Sequence, residues 1–297
     1  MTIQIDLPET STNKIIYSDE CKDILNLSVA KIQEMFKSSG IILFRGFGIT
    51  HELMQVFAEQ FSSRLTRDDD KPLVEPNGFV SLVDIGMHEI LPHRENGSSP
   101  FSPDAVWFCC TVPAAEGGET LFWDGIQVWQ KLSEELRKLF ISKKIKFVHK
   151  FPADKWKHFL GSDATISDAK RVLDGFNNVK YQIDQEESIY TEYICSAVLQ
   201  TKYGNQNAFV NDIITGNSNL KGSVNLELES ALTFEDGSLI PDAAIEEIEK
   251  VMYSLTQEIR WKPGDLVMID NSRFLHGRRA FSDNRRRLFS LLSYLNF

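Results

Sequence analysis

Cysteine is scarce in this chain and never closely paired in a useful way. Cys21, Cys109, Cys110 and Cys195 are the full complement, and without a Cys-x-x-Cys spacing they predict neither a disulfide framework nor a thiolate zinc site. Cys109 and Cys110 sit in an apolar run and read as small core residues, which suits a reducing compartment. A basic surplus is also missing. With 32 Lys and Arg against 42 Asp and Glu the formal net charge is -10, and nonspecific nucleic-acid affinity rests on cations that neutralise phosphates. No nucleic-acid partner is expected. No apolar stretch is long enough to cross a bilayer, and Met1-Thr2-Ile3-Gln4-Ile5-Asp6 has neither the positive flank nor the apolar segment of an export signal. The expectation is therefore a soluble cytoplasmic protein with no membrane partner. Internal repeats and low-complexity tracts are absent too.

What is present is enough apolar material for a large core: 42% of 297 residues. A β-rich chain of this size is commonly one domain, so residues 1–297 are read as a single unit. Leu25, Val29, Ile32 and Phe36 recur at helical spacing after Ser18-Asp19-Glu20 and predict a helix over about 20–37. Leu53, Val56, Phe57 and Phe61 mark a second helix, Leu132, Leu136 and Leu139 a third, and Ile245, Ile248, Met252, Leu255 and Ile259 a fourth. Between them lie short runs rich in β-branched and aromatic residues: 41–47, 106–112, 120–123, the alternating 144–149, 266–270 and 287–294. Residues 152–207 lack clean periodicity and carry Asn-Asn and Gly-Asn punctuation, so they read as an irregular insertion or lid with a few short elements. Strands flanked by helices predict a mainly β fold, an antiparallel barrel or double-sheet jelly roll whose mouth holds a small ligand.

Chemistry concentrates at two places. In an extended segment alternate side chains share a face, so His93 and Glu95 project together while Arg94 projects away. Far downstream, His276 follows the strand 266–270, and Gly277 behind it offers freedom to turn. Two imidazoles and one carboxylate occupy one side of an iron ion and leave its other positions open. Taken singly, His-x-Glu is more often a pair of surface residues and each histidine more often a satisfied core residue.

His93-x-Glu95, Gly117-Gly118-Glu119-Thr120, His276-Gly277-Arg278 and Arg287 together resemble the iron(II)/2-oxoglutarate-dependent dioxygenases of the taurine dioxygenase and clavaminate synthase group. The similarity runs in order over roughly 39–297, with Thr120 27 positions after His93 and Arg287 11 after His276. The resemblance implies a double-stranded β-helix (jelly-roll, cupin-like) core and His93, Glu95 and His276 as iron ligands. It further implies 2-oxoglutarate and O2 as cosubstrates, with Thr120 and Arg287 holding the distal carboxylate of 2-oxoglutarate. Arginine suits that task because its planar fork of donors matches two carboxylate oxygens. Strand alternation sends Arg285 and Arg287 to one face and Arg286 to the other, and the family interval selects Arg287. In related halogenases a small residue replaces the carboxylate ligand, so Glu95 disfavours halogenation.

The implied activity is hydroxylation or desaturation of a C–H bond in a small polar metabolite, coupled to conversion of 2-oxoglutarate to succinate. An amino acid, free or carrier-tethered, in natural-product biosynthesis is the preferred substrate. A noncatalytic ligand-binding or regulatory protein on the same barrel, and a zinc hydrolase using the same ligands, stand as alternatives. Arg278 and Arg279 are equally open to substrate contact and to a surface role. Residues 75–92 and 152–207 are expected to border the substrate pocket. His88 to His93 has the wrong spacing for a zinc-protease helix, interrupted besides by Pro92, and Gly46-Phe47-Gly48 is a turn and not a dinucleotide fingerprint. The basic run from Arg137 to Lys146 reads as a solvated face, with a carrier's phosphopantetheine arm as a conceivable visitor. His149 and His158 are left as packed or exposed histidines.

Overall fold

The computed structural model describes residues 14–18, 23–68, 71–76, 78–83, 86–222 and 230–297. Cys21 and the predicted helix start at Asp19 and Glu20 lie outside these residues.

Runs that are apolar at every position become strands covered on both faces. The larger sheet is built from Lys14–Tyr17 (β1), Ile41–Arg45 (β2), Asp265–Asp270 (β15), Ala105–Val112 (β6), Arg287–Leu295 (β17) and Ser62–Thr66 (β3) in that spatial order, with Ser81–Leu82 (β4) also pairing with β17. Only the β1–β2 pairing in it is parallel. Alternation divides its side chains cleanly. Ile42, Phe44, Trp107, Cys109, Leu266 and Met268 pack under the helices Val29–Ser39 (α1) and His51–Glu59 (α2). Their neighbours Leu43, Val106, Phe108, Cys110, Val267 and Ile269 face the second sheet. Trp107 is fully buried against Phe57 and Phe61, and its indole N–H reaches Ser293 Oγ at 3.0 Å.

The smaller sheet has the order Gln257–Ile259 (β14), Thr120–Asp124 (β7), Phe274–Arg278 (β16) and Ile90–His93 (β5), all antiparallel. Phe122, Phe274 and His276 look toward the larger sheet, while Trp123 and Leu275 look outward to Gly125–Lys131 (α3) and Asp242–Leu255 (α8). This is the jelly-roll arrangement of two facing sheets between helical layers. Pro92 is tolerated in β5 because that strand is an edge, where a missing N–H leaves no ladder bond unmade.

A third sheet, Ser230–Phe234 (β13), Ile145–Phe151 (β8), Ile189–Cys195 (β10) and Val179–Ile183 (β9), lies outside this pair with Glu134–Ser142 (α4), Ala153–Leu160 (α5) and Ile166–Leu173 (α6). Val198–Gln200 (β11) and Asn207–Phe209 (β12) make a hairpin before Ile213–Gly222 (α7). Residues 152–207 are thus regularly structured, which corrects the reading of an irregular insertion. Trp156, Ala169 and Ile189 give them a small apolar cluster of their own. The predicted fourth helix ends at Leu255, and Ile259 instead pairs in β14 opposite Thr120. No helix among the described residues is long and apolar enough to span a membrane.

Candidate metal centre

Strand register brings the two histidines together. His276 on β16 sits directly opposite His93 on β5, with ring centroids 4.2 Å apart. Gly277 is a strand residue, not a turn as its place in the sequence suggested. Its value is closeness: a Cβ there would lie 2.6 Å from the carbonyl oxygen of Ile90 and 3.3 Å from Trp123, so only glycine lets β5 approach the ligand strand. Glu95 stands just beyond the end of β5 in the turn that follows, and its Oε2 lies 3.2 Å from Nε2 of His276 across 181 positions of sequence. One ligand atom from each of His93, Glu95 and His276 falls within 4.8 Å of the others.

The donor states suit a divalent cation. His93 Nδ1 donates to the carbonyl of Leu91 at 2.9 Å, which leaves Nε2 as the ligand nitrogen. Burial, reinforced by the neighbouring His276, pushes the His93 pKa down and keeps the ring neutral. Burial opposes the charge on Glu95, but Lys71 and His276 outweigh it and hold the carboxylate ionised. The two Glu95 oxygens are differentiated. Oε2 faces the imidazoles, whereas Oε1 accepts from Lys71 Nζ at 3.2 Å, and Lys71 also pairs with Asp68. Behind the ligands Asp212 Oδ1 accepts the backbone N–H of Arg94 at 2.8 Å. Burial raises the pKa of Asp212.

A cavity opens from the triad between the two sheets. Val83, Ile90, Phe108 and Leu288 form its apolar lining, and Lys71, Thr120, Arg278 and Arg286 its polar groups. Thr120 is buried, and its Oγ1 accepts from Trp261 Nε1 at 3.1 Å, so the hydroxyl proton is directed elsewhere. Arg286 is 1% exposed and donates through Nη2 to the carbonyl of Gly118 at 2.9 Å. The paired glycines gain their reason here. Gly117 and Gly118 have φ of 73° and 71°, and a Cβ on Gly118 would meet Arg286 Nε at 3.0 Å.

Arg287 is not in this cavity. It is exposed, its Nη1 donating to the carbonyls of Asn284 and Arg286 at 3.0 and 2.7 Å. The alternation reasoning was sound, since Leu288 and Leu292 face between the sheets and Arg286 shares their parity. The family interval points to Arg287, whereas the residue that lines the cavity is its neighbour Arg286. Arg278 is buried in the cavity, donating to the carbonyls of Gly86 and His88 at 3.1 and 2.7 Å, whereas Arg279 reaches outward to Glu258. Of the two segments expected around the pocket, 75–92 contributes Val83 and Ile90; among the described residues none from 152–207 lines it. Lys71, Asp68 and Asn271 were missed in the sequence. A lysine that closes the acidic run Asp68-Asp69-Asp70 is the only hint the chain gives.

Residues 9–292 match the family described as Taurine catabolism dioxygenase TauD, TfdA family. The chain belongs to this family. It is an iron(II)- and 2-oxoglutarate-dependent non-heme dioxygenase that acts on a small metabolite, and the complete His-Glu-His triad marks it as catalytic. Among curated proteins it is similar to the dapdiamide synthesis protein DdaC of Enterobacter agglomerans, 24% identical over 273 residues and covering 86% of this chain and 82% of that one. It is also similar to the 3-((Z)-2-isocyanoethenyl)-1H-indole synthase of Fischerella ambigua, 20% identical over 285 residues with 91% and 87% covered. The fold is that of AAD-2, solved with Mn(II) and N-oxalylglycine, at TM-score 0.62, 16% identity and 100% and 99% coverage. PvcB of Pseudomonas aeruginosa aligns at TM-score 0.60 and 14% identity, with 95% and 85% covered.

Proposed function

We propose that the oxygenase hydroxylates or desaturates an amino-acid-derived metabolite that carries a free carboxylate, as a tailoring step in natural-product biosynthesis. The observation that carries this reading is Lys71, a half-buried ammonium lining the cavity beside the metal ligands. Burial works against its charge, but Glu95 and Asp68 more than restore it. A cation at Glu95 would draw that carboxylate's charge toward itself, which leaves the Lys71 ammonium at the cavity wall to meet a substrate carboxylate. The names of the similar proteins lie in the same chemistry: dapdiamide synthesis, an isocyanoethenyl indole, and, for PvcB, an isonitrile synthetic pathway.

The residues then divide the work. His93, Glu95 and His276 hold iron(II), whose redox chemistry with O2 and 2-oxoglutarate supplies the oxidant for the C–H bond. Arg286, with the hydroxyl of Thr120 beside it, anchors the distal carboxylate of 2-oxoglutarate through a charge-assisted pair. Phe108, Val83, Ile90 and Leu288 keep the cavity dry, which restricts water around the reacting bond. Arg278, in the cavity wall, ties the 86–88 backbone to β16.

The test is iron-dependent succinate formation from 2-oxoglutarate in the presence of L-amino acids and their N-acyl derivatives, each paired with its amide or methyl ester. Stimulation by the free acids and loss of it in the amides is expected. Stimulation by the esters alone would move the reading to a tethered substrate and remove the role given to Lys71.

A further inference from the structure

The two histidines of the triad are held by strand pairing; Glu95 is not. β5 ends at His93, and Glu95 begins a turn in which the next residue, Asn96, has φ of 53°, a left-handed conformation uncommon outside glycine. A carboxylate ligand on a turn has no ladder to fix its backbone, yet a metal site tolerates little drift in its ligands.

A side chain supplies the missing ladder. Asn271 is fully buried at the start of the connection between β15 and β16. Its Oδ1 accepts from the N–H of Glu95 at 3.0 Å, and its Nδ2 donates to the carbonyl of Glu95 at 3.0 Å. This reciprocal exchange is what a hydrogen-bonded residue on an opposing strand would make. The second Nδ2 proton goes to the carbonyl of Pro103 at 2.9 Å. The backbone joins in, with Asn271 N donating to the Asp104 carbonyl at 3.0 Å and the Asn271 carbonyl accepting from Arg94 Nε at 3.0 Å. Every polar group of Asn271 is therefore occupied, and half of its side-chain capacity is spent on one residue. Asn271 also precedes His276 by five positions on the same chain segment, so it links the backbone of one ligand to the strand that carries another.

We infer that Asn271 is a positioning residue for the metal centre: its carboxamide acts as a surrogate strand partner that fixes Glu95 relative to His276 and sets the affinity and geometry of the bound cation. No other residue type does this equally well. Aspartate lacks the donors, leucine and alanine lack both groups, and glutamine is longer by a methylene in a fully buried space.

The proposal rests on the triad being the metal site, and the measurement separates the two. Co(II) is titrated into metal-free protein and followed by its visible absorption, in wild type, Asn271→Ala, Asn271→Asp and Ile248→Ala, with thermal melting of each. Ile248 is fully buried in α8 on the far face of the smaller sheet, so it serves as a stability control. The expected result is a dissociation constant raised about 10- to 100-fold in both Asn271 variants, the range found when outer partners of metal ligands are removed, together with a changed visible band. Ile248→Ala should melt at least as early and bind Co(II) within about twofold of wild type. If the Asn271 variants keep wild-type affinity and spectrum, or if Ile248→Ala weakens Co(II) as much as they do, the positioning role is wrong. Absence of Co(II) binding to the wild type would instead overturn the metal site itself. Should Asn271→Asp fail to fold, Asn271→Ala decides.

Discussion

Two four-stranded antiparallel sheets in this molecule have opposite characters. The β14–β7–β16–β5 sheet is covered on both faces, by the larger sheet within and by α3 and α8 without, and its His93, His276, Thr120 and Arg278 line the cavity on the inner side. The β13–β8–β10–β9 sheet buries one face only. Phe147, Tyr193 and Leu232 pack inward along it, while Lys146 and Glu192 form a half-exposed ion pair on the other side. Desolvation is the difference that matters. A carboxylate, two imidazoles and three cations can be held in fixed positions between two sheets because water competes little for their hydrogen bonds there. On the half-exposed sheet, charged side chains solvate and contribute little.

The contrast should be sharpest in a ligand exchange. His276→Ala is expected to abolish both Co(II) binding and 2-oxoglutarate turnover while circular dichroism stays native, since the neighbouring core does not depend on that imidazole. Retained turnover would place the metal elsewhere. Next in size is packing: Trp107→Ala should cost about 3–5 kcal/mol in denaturant unfolding, whereas Lys180→Ala on the exposed side of β9 should stay within about 0.5 kcal/mol. Comparable losses would mean that the outer face of the β13–β8–β10–β9 sheet is not solvated. At the cavity, Arg286→Lys should raise the 2-oxoglutarate KM by about tenfold or more, because an ammonium keeps the charge and loses the fork. Arg287→Lys should leave it within about twofold. A reversed order would return the anchoring role to Arg287. Smallest is thiol reactivity: burial pushes both Cys109 and Cys195 up to about 12, so native protein near neutral pH should alkylate these thiols far more slowly than unfolded protein does. Equal rates would contradict their burial.

Legibility followed the same division. Strands buried on both faces were found from continuous apolar runs such as 106–112 and 266–270, and the observed strands β6 and β15 match them to within a residue. In the outer layer β8 was seen, yet β9 and β10 were passed over. Their period of two is present in Val179-Lys180-Tyr181-Gln182-Ile183 and Ile189-Tyr190-Thr191-Glu192-Tyr193, but it is carried by tyrosine and threonine, which weaken the apolar contrast. Gly277 was given the wrong reason, because a glycine needed for close approach and one needed for a turn look alike in a sequence. Asn271 had no signal at all, since its partner lies 176 positions away.

The sequence alone determined the chemistry available: which residue types could grip a cation, the order in which they come, and a core large enough to hide them. Register and packing decided which of these groups meet. His93 faces His276 because two edge-to-centre strands align at that pair, Arg286 enters the cavity because strand parity sends it inward with Leu288, and Glu95 is steadied by a carboxamide from another strand connection. Such choices are made by contacts between distant segments, and no local spacing encodes them.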